Sequence, residues 1–392
     1  MSVPDSVLVV GASAAGLGTA EGLRRKGYQG RLTLLDAAPG PPHDRPPLSK
    51  QILAGIWEPE RAHLRTPQAL DALDAQLLFG DEAVDLEVRT RTVRTRGGRT
   101  LRADAVVLSP GLRPRRLPGL PVLRGTHVLH TLDQALALRT ELGSARHVVV
   151  IGNGVLGAEI AATCAGLGLD TTLVGSGPGP MAGRLGPRIA ALLAQLHIRN
   201  GVRLINSTTV SGLTHAHDRV TGVRLPGGQT LPADVVVTAI GSEPHTQWLA
   251  AGGLRLDDGI VCDAQCRAAP GIYAAGDAAR FHHQELGLHM RLENRTNATT
   301  QAATVAANIL GDERPYTPLP YFWTDQFDVK IQVFGTPTAD AALTVVESGD
   351  DGRFVARCDG PQGATAVIGW NMPKQTRLHS QVLAPPSRLT RS

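Results

Sequence analysis

Residues 6–16 read SVLVVGASAAG and residues 147–157 read HVVVIGNGVLG. In each, a short aliphatic run ends in a glycine-punctuated turn, Gly11 to Gly16 or Gly152 to Gly157, and a helical pattern follows, to Lys26 in the first copy and about Leu167 in the second. A second apolar run comes next, 32–35 closed by Asp36, and 171–174 followed by Gly175. Strand, glycine turn, helix and strand in that order make the first half of a βαβ nucleotide-binding unit. The first glycine admits the tight turn, the middle one lets backbone approach a pyrophosphate, and the last lets helix pack closely on strand. The N–H groups at the helix start then hold phosphate. One such turn is a weak signal, but two in matching context about 140 residues apart are a strong one.

The copies differ in detail. Ser13 stands at the middle glycine of the first, with Ala14 and Ala15 before Gly16, whereas the second keeps Gly154, with Val155 and Leu156 before Gly157. Asp36 is placed to accept a hydrogen bond from a ribose hydroxyl. The second copy has Gly175 and then Ser176 at that place, so it lacks both the mark of NAD preference and the charge that would repel a 2′-phosphate. Arg184 and Arg188 follow, either as phosphate partners or as solvated residues of a helix start.

Outward from these turns, 392 residues with 42% hydrophobic and 19% charged content suffice for two or three domains and exclude a disordered chain. A net charge of +4 is too small to argue for nucleic acid. The four cysteines, Cys164, Cys262, Cys266 and Cys358, form no C-x-x-C pair and no metal-ligand spacing, so neither a disulfide framework nor a metal site is expected. No apolar run reaches the ~18 residues a membrane span needs, and the first apolar run has neither the basic start nor the continuity of a signal peptide. A soluble cytoplasmic protein is the expectation; oligomeric state is not readable. Arg89, Arg91, Arg94, Arg96, Arg99 and Arg102 flank a Gly97-Gly98 turn, as the solvated face of a β-hairpin or as a docking patch for an acidic partner. Residues 44–50, DRPPLSK, present an Arg and a Lys from a proline-stiffened loop. Residues 271–277, GIYAAGD, end a strand-like run in Gly276-Asp277 ahead of a helix-like Ala278-Ala279, so Asp277 is either a polyol acceptor or a helix cap.

With these pieces in order, the chain resembles the flavin-dependent ferredoxin reductases of oxygenase systems, the family of putidaredoxin reductase, rubredoxin reductase and the reductases of aromatic dioxygenases. Besides the glycine turns, DRPPLSK, GLRPRRLPG (111–119), AIGSEPHT (239–246), GIYAAGDAARF (271–281), RLENRTNATTQA (291–302) and YFWTDQFDVKIQ (321–332) carry the resemblance, which covers essentially the whole chain. It implies an α/β fold of two Rossmann-like βαβ nucleotide-binding domains of glutathione-reductase type and a small α+β C-terminal domain. The implied division is 1–115 with 242–312 for FAD, 116–241 for NAD(P), and 313–392 for the C-terminal domain. It further implies that Gly11, Ser13 and Gly16 face the FAD pyrophosphate, that Arg45 and Arg113 contact its phosphate or adenosine part, and that Asp277 holds the ribityl chain. Lys50 would sit near flavin N5 and pair with Glu159. Glu293, Asn294 and Arg295 would flank the flavin pyrimidine edge, Trp323 its entrance side, and Gly241 the nicotinamide nucleotide.

The implied activity is hydride transfer from NADH or NADPH to FAD, then single electrons to an iron-sulfur ferredoxin. Two rival readings share the fold: a flavoenzyme acting directly on oxygen or a small molecule, and a redox-switched binding protein like the apoptosis-inducing flavoproteins. Val155, Leu156, His43, Arg295, Ser109-Pro110 and Gly175 depart from the family pattern, and the last leaves the nucleotide choice open.

Overall fold

The computed structural model describes residues 3–338 and 341–383. They fall into two compact units. The first holds the described residues of Met1–Asp44, Glu60–Arg113 and Ser242–Pro318, and the second those of Arg45–Pro59, Pro114–Gly241 and Leu319–Ser392. The longer helices are α1 (Ala14–Arg25), α2 (Leu132–Leu142), α3 (Val155–Gly166), α4 (Ala182–Arg199) and α5 (Arg295–Ile309).

In the first unit, Ser6–Val10 lies at the heart of a six-stranded sheet, between Arg31–Asp36 and Ala105–Leu108, and pairs in parallel with both. All five of its residues are buried, as a strand covered on both faces requires. α1 packs against α5 at small residues. A Cβ on Gly22 would stand 2.9 Å from the Cβ of Ala306, so the glycines of α1 set how closely the helices approach.

The second unit repeats the pattern around His147–Ile151, flanked in parallel by Asp170–Val174 and Val235–Thr238 in a five-stranded sheet. A Thr131–Gln134 capping box opens α2. α4 is broken at Gly186, whose φ of +75° precedes Pro187. Its apolar residues Leu185, Ile189, Leu193 and Leu196 share a core with Ile331, Val333, Ile368 and Trp370 of a five-stranded antiparallel sheet. That sheet begins with the edge strand Tyr321–Gln326. Residues 45–59 group with this second unit rather than with the sequence on either side, because the turn Leu48–Ile52 packs on α2 and α3.

One local expectation is corrected. Gly276-Asp277 leads not into a helix but into the strand Ala279–His283, which pairs in parallel with Ile260–Cys262 and antiparallel with Leu288–Met290. Strand pairing and the full burial of Phe281 override the helical preference of two alanines, and Asp277 is no helix cap.

Candidate functional site

The first glycine turn is closed by backbone contact. Gly11 has φ +93°, and a Cβ there would meet the carbonyl oxygen of Ser109 at 2.1 Å; one on Gly16 would meet the Gly11 carbonyl at 1.8 Å. The Ser109 hydroxyl donates to the carbonyls of Gly11 (2.7 Å) and Val10 (3.0 Å), so this departure from the family pattern braces the turn. At the end of the second strand the Asp36 carboxylate accepts from the backbone N–H of Ala12 (2.6 Å) and of Ala38 (2.8 Å). Gly276, with φ +82°, lies against the same turn, since a Cβ there would stand 2.8 Å from that of Ala15. Its N–H donates to the buried Oε1 of Gln301 at 2.8 Å. The half-buried Asp277 follows.

α1 begins at Ser13, whose side chain makes no cap hydrogen bond, and the start of α3 at Gly154 has no side-chain cap either. Both helix starts thus keep first-turn N–H groups that need acceptors. A cap site of this kind, with a glycine turn before it and a helix dipole behind it, fits a pyrophosphate. The second turn repeats the close packing, for a Cβ on Gly157 would stand 1.7 Å from the Gly152 carbonyl oxygen. Gly154 has no neighbour within 4 Å of its Cβ direction among the described residues, which is the approach a phosphate needs. Val155 and Leu156 are half-buried, Gly175 is buried and Ser176 is exposed. Gly241 has φ +95° and its carbonyl accepts from Arg115 N–H at 3.0 Å.

Glu159, on α3 just past the glycine turn, is 6% exposed and accepts three side-chain hydrogen bonds. Its Oε2 accepts from the Ser49 hydroxyl at 2.6 Å and from Lys50 Nζ at 2.8 Å, and its Oε1 accepts from the Thr324 hydroxyl at 2.9 Å. Thr163, one turn along α3, donates to the Ser49 carbonyl at 2.7 Å and so fixes the lysine-bearing turn. Beyond Thr324 lies Gln326, whose Nε2 donates to the Thr324 hydroxyl at 3.1 Å and whose Oε1 accepts from His197 Nε2 at 2.8 Å. The His197 ring is wholly buried, its Nδ1 has no hydrogen-bond partner among the described residues, and burial holds its pKa below the ordinary 6.5, which favours the neutral ring at neutral pH. A buried ammonium is costly unless a hydrogen-bonded carboxylate meets it, and this pair satisfies that condition.

The remaining expected residues have assigned places. In the first unit Arg113 donates to Glu243 at 2.7 Å, Asn294 caps α5 through Asn297 N–H at 2.7 Å, and Arg295 donates to Asp44 at 2.8 Å. Glu293 is held by Arg291, 2.6 Å away, which also donates to the Asp277 carbonyl at 2.9 Å. In the second unit Arg45 is half-buried and Trp323 stacks on Tyr321 with ring centroids 5.9 Å apart. Arg184 and Arg188 are exposed. The Arg184 guanidinium lies 5.6 Å over the Phe322 ring and Arg188 donates to the Leu343 carbonyl at 3.3 Å. The hydrogen bonds also tie in Ser49, Thr324, Gln326, Arg291 and Gln301, which lie inside the quoted motifs but were given no role of their own, and Thr163 and His197, which lie outside them. The arginine-rich hairpin carries its own counter-charges, with Arg94 on Asp85 (2.6 Å) and Arg96 on Glu82 (2.8 Å), and Arg99 on Asp81. Among the described residues no cluster of His, Cys, Asp or Glu suits a metal ion, and no helix is long and apolar enough to cross a membrane.

Comparison with known proteins agrees with this geometry. Residues 5–302 match the pyridine nucleotide-disulphide oxidoreductase family and residues 321–391 the reductase C-terminal family. The chain is 35% identical over 342 residues to putidaredoxin reductase of Pseudomonas putida, covering 86% of this chain and 81% of that protein. It is 34% identical over 366 residues to the ferredoxin–NAD(+) reductase component of the anthranilate 1,2-dioxygenase system of Burkholderia cepacia, covering 90% of each. The crystal structure of the covalent putidaredoxin reductase–putidaredoxin complex matches with a TM-score of 0.91 at 34% identity, over 97% of this chain and 93% of that one. Its two glycine-turn units, its C-terminal sheet and this likeness place the chain in the pyridine nucleotide-disulphide oxidoreductase family, among the FAD-dependent NAD(P)H:ferredoxin reductases of oxygenase systems.

Proposed function

We propose that this protein takes a hydride from NADH or NADPH onto FAD and passes the two electrons singly to an iron-sulfur ferredoxin of the 2Fe-2S type, which feeds a P450 or Rieske oxygenase. The observation that carries this reading is the pair of closed glycine turns, each opening onto a helix start without a side-chain cap. Bound FAD supplies the chemistry, because it accepts a hydride and releases electrons one at a time. Two ferredoxins take one electron each and the proton of the hydride goes to solvent.

This chain supplies binding and orientation. The turn from Gly11 through Ser13, Ala14 and Ala15 to Gly16 offers N–H groups to the FAD pyrophosphate, Asp36 accepts from the adenosine ribose, and Asp277, with Gly276, serves the ribityl chain. Arg45, Arg113, Glu293, Asn294, Arg295 and Trp323 complete the proposed FAD contacts. Gly152, Gly154, Val155, Leu156, Gly157, Gly175, Ser176 and Gly241 line the proposed nicotinamide nucleotide site, and Lys50 is the proposed partner of flavin N5. Glu159 keeps the Lys50 ammonium in one place through its other two hydrogen bonds. Arg184, drawn over Phe322, is the weakest member of the proposed nucleotide set.

The cysteines take no part. All four are buried and free, and burial pushes the thiols of Cys164 and Cys266 up to about 12, which keeps those two protonated at neutral pH. Four unpaired thiols also support a cytoplasmic setting. The test is NAD(P)H-driven reduction of cytochrome c by the holoprotein with and without a purified 2Fe-2S ferredoxin. A rate that rises with added ferredoxin is expected, and a rate indifferent to it would contradict the proposal.

A further inference from the structure

We infer that Asn153 occupies the place of the ribose carboxylate at the second glycine turn, and that the site therefore accepts nicotinamide nucleotides with and without a 2′-phosphate. The inference rests on reading that turn as the nicotinamide nucleotide site.

The glycines of the two βαβ units match Ala12 with Asn153, and the strand register, in which Val10 pairs with Leu35 and Ile151 with Val174, matches Asp36 with Gly175 as the next residue of each second strand. In the first unit the acid at the strand end reaches back to the turn, where Asp36 Oδ2 accepts from Ala12 N–H at 2.6 Å. In the second the direction is reversed. A Cβ added at Gly175 would stand 2.1 Å from Cγ and 2.5 Å from Cβ of Asn153, so the volume a strand-end side chain would fill is taken by a side chain from the turn. The two positions have exchanged which of them carries the bulk.

The replacing group is neutral and held. Asn153 Nδ2 donates to the carbonyls of Gly177 (3.1 Å) and Gly179 (3.2 Å), and the Asn153 carbonyl accepts from Met181 N–H at 2.7 Å. The next residues at this and the neighbouring strand end, Ser176, Asn206, Ser207 and Thr208, are uncharged as well. A carboxylate here would set a like charge against a 2′-phosphate; an amide sets none. Arg184 and Arg188 are drawn to Phe322 and to the Leu343 carbonyl, so neither is built into a clamp that demands the phosphate. Tolerance of both nucleotides follows, rather than preference for NADPH.

The exchange makes a test with a sign of its own. Holoprotein of the wild type, Gly175→Glu, Asn153→Gly and the double variant is titrated calorimetrically with NAD⁺ and with NADP⁺, and each is melted. The wild type is expected to bind the two within about threefold of each other. Gly175→Glu alone melts below the wild type because the introduced side chain collides with Asn153, whereas adding Asn153→Gly makes room, raises the melting midpoint again and weakens NADP⁺ relative to NAD⁺ by about thirtyfold. An unchanged ratio in the double variant, a single Gly175→Glu protein that melts like the wild type, or a wild type that already rejects NADP⁺ by about thirtyfold would overturn the inference. A wild type that binds neither nucleotide, and whose flavin neither NADH nor NADPH reduces, would remove the nucleotide site itself.

Discussion

Glu159 accepts three hydrogen bonds at 6% exposure, and each donor depends on it. Glu159→Ala strands the Lys50 ammonium and two hydroxyls, and we expect a loss of about 3 kcal/mol of stability in urea unfolding. Glu159→Gln, which keeps an acceptor, loses less. His197 gives a pH signature. Its folded pKa lies below 6.5 because of burial, so the unfolded chain takes up the proton first as pH falls. Its contribution to stability is complete above pH 6.5 and declines below it, and His197→Asn, which retains a donor toward Gln326, should flatten the fall in melting midpoint between pH 6.5 and lower values. Lys50 and Glu159 could be named beforehand only through the family resemblance of DRPPLSK and of the second turn. Ser49, Thr163, Thr324 and His197 could not, because a hydroxyl or a ring more than a hundred residues from its partner, or reached through one, leaves no local pattern. Gly175 was visible in the sequence as a missing acid, but its link to Asn153 needs the geometry of the turn.

At the scale of elements, the two glycine turns are alike in packing and should be separable in use. Gly16→Ala puts a methyl 1.8 Å from the Gly11 carbonyl oxygen, and Gly157→Ala puts one 1.7 Å from that of Gly152. The first should yield protein that loses its yellow colour on desalting. The second should keep the flavin spectrum and its reduction by dithionite while reduction by NADH or NADPH slows at least about a hundredfold. Gly157→Ala protein that NADH bleaches at the wild-type rate would contradict the assignment of the turns. Strand, turn and helix were legible here because the apolar runs, glycines and helical pattern agree at every level. They agreed less at Ala278-Ala279, where pairing with Ile260–Cys262 decides the outcome and lies outside any local window. The hairpin arginines were legible as a strand pair but not as ion pairs, since Asp81, Glu82 and Asp85 come from the preceding segment. Their neutralisation predicts that Arg94→Gln with Arg96→Gln leaves the rate of ferredoxin reduction within about twofold at moderate salt. A steep loss would restore the docking-patch reading.

Over the whole molecule the same logic runs twice, once around Ser6–Val10 and once around His147–Ile151, and a terminal antiparallel sheet completes the second unit through the apolar face of α4. The repeat gives the proposed function its two nucleotide turns, and the four cysteines, buried and unpaired, offer that function no disulfide. The motif order made this architecture legible. The grouping of residues 45–59 with the second unit was not, because it depends on the packing of Leu48–Ile52 against α2 and α3. If nucleotide and ferredoxin meet the same flavin, one anaerobic cuvette shows both reactions. NADH is added to the holoprotein while the flavin absorbance is followed, and oxidised 2Fe-2S ferredoxin is then mixed in. Bleaching by about one equivalent of NADH is expected, with prompt recovery of the flavin as two ferredoxins are reduced. Flavin that NADH leaves oxidised, or that stays reduced with ferredoxin and recovers only when air is admitted, would contradict the proposed function.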